Sequence, residues 1–258
     1  MIEPNTNASN GDTLGGFGNG FEADDAPVRP RVVVLISGSG SNLQALLEAQ
    51  EHDELGGDVV AVISNKADAY GLVRARDAGV DAVALPHEEY ESREHYDAAL
   101  IKVIERHEPD LIVLAGFMRI LSPLFVQYFF GRLMNIHPSL LPAWPGLDTH
   151  RKVLEAGEQE HGASVHFVTE ELDGGPVAIQ AVANVLEGDD EASLKERVHT
   201  REHLIYPIAV RWFLEGRLKL DGEVAKLDGH NLPVGGLRLS HADVEEELSD
   251  ELPEGEED

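Results

Sequence analysis

The chain has 258 residues, no cysteine and a formal charge of −28. Without cysteine there is no disulfide framework, no thiol nucleophile and no thiolate metal site. No run of eighteen apolar residues offers a membrane span, and so acidic a chain repels nucleic acid and anionic membranes.

Residues 1–29 carry five acids and one arginine, and residues 241–258 carry ten acids and no base, which leaves −14 for residues 30–240. The excess is thus spread over the folded part as well, a halophilic-type acidic surface. An anionic substrate must then be held by local donors rather than by the global field. Residues 1–29 have no basic start before an apolar core, so they do not read as a secretory signal. Rich in Gly, Asn and Asp, they are expected to be a disordered acidic tail. The expected domain is residues 30–239, followed by a second acidic tail over 240–258, partly helical near Val244–Leu248. The expected location is cytoplasmic, with which the absence of cysteine is compatible.

Arg31–Ile36 is a continuous apolar run, suited to the buried centre of a parallel sheet. Asn42–Gln50 reads as a helix, Asp58–Ser64 as a strand, Tyr70–Ala78 as a helix and Asp81–Leu85 as a strand. Tyr90–His107 is amphipathic, with Tyr96, Leu100, Val103 and Ile104 on one face. Leu111–Ala115 and Arg132–Ile136 are two more strands. This β–α alternation predicts an α/β, doubly wound, mostly parallel Rossmann-like sheet with helices on both faces. After Pro145 the pattern changes. His161–Val168 and Pro176–Val185 read as adjacent strands joined by an acidic turn. Glu191–Glu215 is a long helix that Pro207 should kink or break. Leu227-Asp228-Gly229-His230 looks like a hairpin turn.

Ser37-Gly38-Ser39-Gly40-Ser41-Asn42 lies between the first strand and the first helix. Glycine lets the backbone turn and approach a ligand, and helix N-terminal N–H groups attract phosphate. The run lacks the third glycine of a dinucleotide fingerprint and the Gly-Lys-Ser/Thr of a P-loop. It reads as a monophosphate site or as a bare tight turn. Phe117-Met118-Arg119-Ile120-Leu121 follows a buried strand at the edge where open α/β sheets bind ligands. It suits either a slot for a flat ring or simple packing. The chain has twelve histidines, but none stands in a familiar metal-binding spacing, so no metal is expected. His161 and His166, five apart on one strand, should face opposite ways.

Asn135-Ile136-His137-Pro138-Ser139-Leu140-Leu141-Pro142 closes another strand. Asn135 and His137 stand two apart, so on an extended segment they share a side. One offers an amide N–H₂, the other an imidazole able to carry a proton. A carboxylate held near an imidazole favours its charged form and fixes its orientation. Asp173, in Glu171-Leu172-Asp173-Gly174-Gly175, is the candidate. Donor, acid and carboxylate suit the stabilisation and protonation of a tetrahedral oxyanion. A turn asparagine, a buried histidine and a loop aspartate account equally well for the same residues. Spacing does not show that Asp173 reaches His137.

Taken in order, these motifs resemble the phosphoribosylglycinamide formyltransferases, a family of folate-dependent formyl transferases. Ser64–Asp68, Leu114–Ser122, Glu160–Phe167 and Glu202–Pro207 add to the likeness, which runs from about Arg31 to about Leu232. The resemblance implies transfer of a formyl group from 10-formyltetrahydrofolate, a co-substrate, to glycinamide ribonucleotide, with a 10-formyltetrahydrofolate hydrolase as the alternative. It implies Asn135, His137 and Asp173 as catalytic residues, His137 being kept protonated by Asp173. It also implies Gly40, Ser41, Asn42 and Arg93 at the ribonucleotide, and Met118, Arg119, Ile120, Leu121, Thr169, Glu170, Glu171, Leu172 and Asp173 around the pterin. His199 stands where the bacterial pattern has glutamine near the substrate ribose, with Glu202 three residues on. Asp148 stands where the family commonly has histidine, which puts a carboxylate near the active-site loop. The expected partners are the two small molecules, with no nucleic acid and no membrane; a homodimer is compatible with the sequence.

Overall fold

The computed structural model describes residues 29–243. Of the expected disordered tails 1–29 and 240–258, residues 1–28 and 244–258 lie outside the described residues, as does the expected helix near Val244–Leu248. Five strands alternate with helices in the first half. They are β1 (Arg31–Ile36), β2 (Asp58–Ser64), β3 (Asp81–Ala84), β4 (Leu111–Leu114) and β5 (Leu133–His137). The helices among them are α1 (Ser41–Glu51), α2 (Gly71–Asp77), α3 (Arg93–Glu105) and α4 (Pro123–Tyr128). Then come α5 (Thr149–Ala156), β6 (Glu160–Phe167), β7 (Val177–Asn184), α6 (Glu191–Leu214), β8 (Leu218–Asp221), β9 (Val224–Leu227), β10 (His230–Asn231) and β11 (Leu237–Leu239).

Eight strands form one sheet in the order β11-β7-β6-β5-β4-β1-β2-β3. Among them only β6 runs against its neighbours; the remaining pairings are parallel. The expected doubly wound sheet is the one observed. β1 shows why its sequence is apolar without alternation. Val32, Val34 and Ile36 enter a core with α1, α2 and α6, and Val33 and Leu35 enter another with α3 and α4. Both faces are buried, and each such side chain contributes about 1.5–3 kcal/mol relative to exposure.

The strand order reverses between β1 and β4, which leaves a crevice beyond their carboxyl ends. Side chains span it there: Ser37 Oγ accepts the Met118 N–H at 2.8 Å and donates to Asn65 Oδ1 at 2.5 Å.

Several expectations need correction. The helix expected from Tyr90 starts at Arg93, because Ser92 is an extended cap whose side chain accepts the His95 N–H. A short 3-10 turn, His87–Glu89, precedes it. Pro207 does not break α6, which continues to Leu214. Buried Ile205, Tyr206, Ala209 and Val210 hold both flanking turns, and Tyr206 Oη reaches the carbonyls of Leu114 and Met134. Packing outweighs the one lost backbone bond. The helices α4 and α5 and the strands β8 and β11 escaped the sequence reading. Of these α4 had a legible start, Ser122 capping and Pro123 in the first turn. Residues just outside 30–239 also make contacts. Arg29 pairs with Asp53 and Asp58, Ser240 and Asp243 exchange capping bonds, and His241 Nδ1 meets Arg201 at 3.0 Å. The Leu227–His230 hairpin is present, with Asp228 and Gly229 both at positive φ as a type I′ turn requires.

Candidate active site

β5 alternates. Met134 and Ile136 pack into the core under α6, so Asn135 and His137 face the other way. β6 lies antiparallel beside it, with His166 opposite Asn135 and Ser164 opposite His137. Directly paired residues share a face, so these four side chains form one patch. The loop 138–148 and the turn 168–176 fold over that patch. The turn starts at the foot of β5, where the Val168 N–H donates to the Leu133 carbonyl, and climbs back until Asp173 meets the histidines.

His137 is buried and held at both nitrogens. Nε2–H donates to the Trp144 carbonyl at 2.9 Å, and Nδ1 faces Asp173 Oδ2 at 3.5 Å. The same Oδ2 accepts the Gly146 N–H at 2.8 Å. Asp173 sits at φ 52, a left-handed conformation that Asp tolerates better than most residues. His166 was read from the sequence only as facing away from His161, not as a site residue. Its Nδ1–H donates to the Phe167 carbonyl, which leaves Nε2 to accept from Asn135 Nδ2 at 3.1 Å. Burial holds this imidazole well below the usual histidine range, in keeping with a neutral ring. Asn135 thereby has one amide hydrogen fixed on His166 and the other to offer. Asp173 Oδ1 lies 3.8 Å from His166 Nε2, an acceptor, so no hydrogen bond joins them.

A second group lies on the other face of the sheet, under α1 and α6. Gly40 takes φ 73 at the start of α1, and a side chain there would meet Gly71 Cα at 2.8 Å. The first backbone N–H groups of α1, beginning with Ser41 and Asn42, find no partner within the helix. Asn42 Nδ2 donates to Glu202 Oε2 at 2.8 Å and so ties α1 to α6. Burial pushes the Glu202 carboxyl up to about 7, with the Asn42 bond opposing the shift. His199 stacks on His203 on the same helix, and burial lowers both imidazoles. His161 and His150 meet at 3.0 Å on this side, as the opposite-faces expectation for His161 and His166 requires. Burial pushes them down to about 3 and about 4.

The remaining candidates are more scattered. Arg93 opens α3 and pairs with Glu94 at 3.5 Å. One turn on, Tyr96 is covered by the Arg119 guanidinium, 4.5 Å from its ring. Met118 and Ile120 stand exposed, 66% and 61%, while Leu121 packs on the core under α3. A cleft of about 820 Å³ is lined by Thr169, Glu170, Glu171 and Asp173 together with Val126 and Phe130. Met118–Leu121 lie outside its lining, and so does Leu172, which is exposed. Gln127 Nε2 donates to Glu170 and ties the turn to α4. Asp148 is taken by Arg151 at 2.6 Å and does not reach the His137 group. Among the described residues no three His, Cys, Asp or Glu side chains are grouped to hold a metal ion, and no helix is long and apolar enough to cross a membrane.

The sequence model described as Formyl transferase matches residues 30–210. The phosphoribosylglycinamide formyltransferase of Escherichia coli (strain K12) is 57% identical over 205 residues, 80% of this chain and 97% of that protein. Among solved structures, a phosphoribosylglycinamide formyltransferase from Coxiella burnetii, in complex with CHES, has a TM-score of 0.79 at 48% identity and covers 82% of this chain and 99% of its own. A formyltetrahydrofolate deformylase from Burkholderia mallei is more distant, with 29% identity, a TM-score of 0.71, and coverage of 77% of this chain and 70% of its own.

Proposed function

Because the chain belongs to the formyl transferase family, we propose that Asn135, His137 and Asp173 form the centre at which it moves a formyl group. It transfers the formyl group of 10-formyltetrahydrofolate to the amine of glycinamide ribonucleotide, a step of de novo purine synthesis. The products are formylglycinamide ribonucleotide and tetrahydrofolate. The observation that carries the site is the meeting of a carboxylate, an imidazole and a half-committed amide on one buried face.

The amine is the nucleophile, so the reaction calls for no covalent enzyme intermediate. Attack on the formyl carbon turns its oxygen into an oxyanion. Asn135 offers its remaining amide hydrogen to that oxygen, its orientation fixed by His166. His137 Nε2–H is committed to the Trp144 carbonyl, while Nδ1 stands 3.5 Å from Asp173, a loose contact that lets an Nδ1–H turn to the oxyanion. His137 stabilises the oxyanion and gives a proton to the departing folate nitrogen. The attacking amine must also lose a proton. Asp173 Oδ1, which no described residue donates to, is placed to accept it, directly or through water.

The phosphate of the ribonucleotide goes to the amides of Gly40, Ser41 and Asn42, where the helix start offers N–H groups to an anion. Glu202 and His199 lie one helix away, at the ribose. Arg93 adds a local cation against the acidic surface. The folate ring lies along the turn Thr169–Asp173; Met118, Arg119, Ile120 and Leu121, which lie outside the lining of that cleft, would reach the ring only from the loop after β4.

The test is to follow tetrahydrofolate release with and without glycinamide ribonucleotide. A transferase releases it only when the ribonucleotide is present. Equal release without it would mark a hydrolase, as the likeness to the deformylase would allow. No release in either case would mark a binding module.

A further inference from the structure

We infer that Gln180 is a positioning residue for the His137–Asp173 pair, acting through the loop that joins β5 to α5. The inference rests on the reading above, in which that pair does the chemistry. Two contacts from this loop fix the pair: the Trp144 carbonyl takes His137 Nε2–H, and the Gly146 N–H holds Asp173 Oδ2. Something must hold the loop in turn, since a loop carbonyl orients a ring only as well as it is itself fixed.

Gln180 supplies the hold from β7, two strands away. Its Nε2 donates to the Leu141 carbonyl at 2.7 Å and to Ser164 Oγ at 2.9 Å. Ser164 Oγ also accepts the Leu141 N–H at 3.0 Å and donates to the Ser139 carbonyl at 2.6 Å. Ser139 Oγ carries the chain of bonds on to the Ala143 carbonyl at 2.7 Å, one residue before Trp144. Gln180, Ser164 and Ser139 are all buried. Each donor here faces a loop carbonyl or the shared hydroxyl, so the network is directed at the loop backbone. A buried donor lost from such a network leaves a carbonyl unpaired, and the loop must move to find water.

Gln180→Met keeps the volume and removes the donor. Ser164→Ala removes the shared hydroxyl. In the full chain, each variant is tested for kcat and for the KM of glycinamide ribonucleotide. The His137 Nε2–H resonance is followed alongside, assigned by its absence in His137→Gln. The expected result is a kcat lowered roughly 10- to 100-fold, the scale of a small misplacement of reacting groups, with KM within about twofold, and a displaced or broadened resonance. The double variant should lose little more than either single one, because both act on the same hold. An unchanged kcat, a lowered kcat with an unmoved resonance, or a rise in KM alone overturns the inference. So does failure of both variants to fold, which would make the network a support of the whole domain. If the wild type shows no release dependent on the ribonucleotide, the functional reading fails, and the resonance still decides whether Gln180 holds the ring.

Discussion

Asp173 Oδ2 lies 3.5 Å from His137 Nδ1, although a loop, a helix and a strand separate the two in sequence. β6 runs down beside β5, and the turn after it climbs back over the face that carries His137. The Gly146 N–H, from the loop after β5, holds the same carboxylate oxygen. Two segments thus converge on one oxygen, and the imidazole is fixed between them.

Asp173→Asn keeps the size and can still accept the Gly146 N–H. It removes the negative charge beside His137 and the proton acceptor proposed for the amine. The expected result is a kcat lowered by roughly two to four orders of magnitude, the scale of general acid–base help, with ribonucleotide affinity little changed. Steady-state kinetics with calorimetry checks this. A loss of affinity with kcat preserved would give Asp173 a binding role.

Gly40→Ala places a Cβ against Gly71 Cα and asks an L residue to hold φ 73. The start of α1 must shift, and the backbone amides with it. Calorimetry should show weaker binding of glycinamide ribonucleotide and unchanged binding of a folate analogue, because the folate slot lies across the sheet. Equal weakening of both ligands would count against the separate phosphate site.

The two buried imidazoles under α6 set the acid side of stability. Burial holds His161 at about 3 and His150 at about 4, against an ordinary value of 6.5. The unfolded chain takes up protons near 6.5 that the fold refuses, so stability is present above that pH and is lost as pH falls toward 4 and then 3. Glu202, pushed up to about 7, acts in the opposite sense, since stability is lost as pH rises from 4.5 to 7. Between pH 4.5 and 6.5 these two histidines, with buried His166 lowered in the same sense, outweigh the one carboxyl, and the melting temperature should fall with acidification. His161→Gln should lessen the slope by about 1.4 kcal/mol per pH unit, one proton's worth. Parallel melting curves for the two proteins would remove His161 from this account.

The net charge makes a further test. Residues 30–240 keep a charge of −14, and like charges repel over about 30 Å at 0.01 M salt but only about 3 Å at 1 M. A chain trimmed to residues 29–243, which keeps Arg29 and His241, should fold, retain activity and melt at higher temperature in molar salt. A flat or falling melting temperature would mean that surface charge does not limit stability.

Much of the sheet could be read from the chain because β1, β2 and β4 are apolar on both faces and punctuated by glycine and helix caps. The alternation of Asn135 and His137 was legible for the same reason. What could not be read was which strand runs backwards. The pairing of Asn135 with His166, and of His137 with Ser164, depends on the reversed β6, and local pattern does not encode strand direction. The approach of Asp173 depends on a turn folding over a face, which is tertiary packing. Pro207 misled because propensity is local, whereas α6 is held by β4, β5 and the core beneath it. Asp148 lies at the end of the loop after β5, and its carboxylate pairs with Arg151, one turn along α5.

His137→Ala tests most directly the proposal that His137 is the proton donor in formyl transfer. Single-turnover formation of formylglycinamide ribonucleotide is measured for wild type and variant, with the ribonucleotide affinity of each from calorimetry. The variant's rate should be lower by roughly two to four orders of magnitude, with affinity within about threefold. A variant that forms product at the wild-type rate would contradict the proposal.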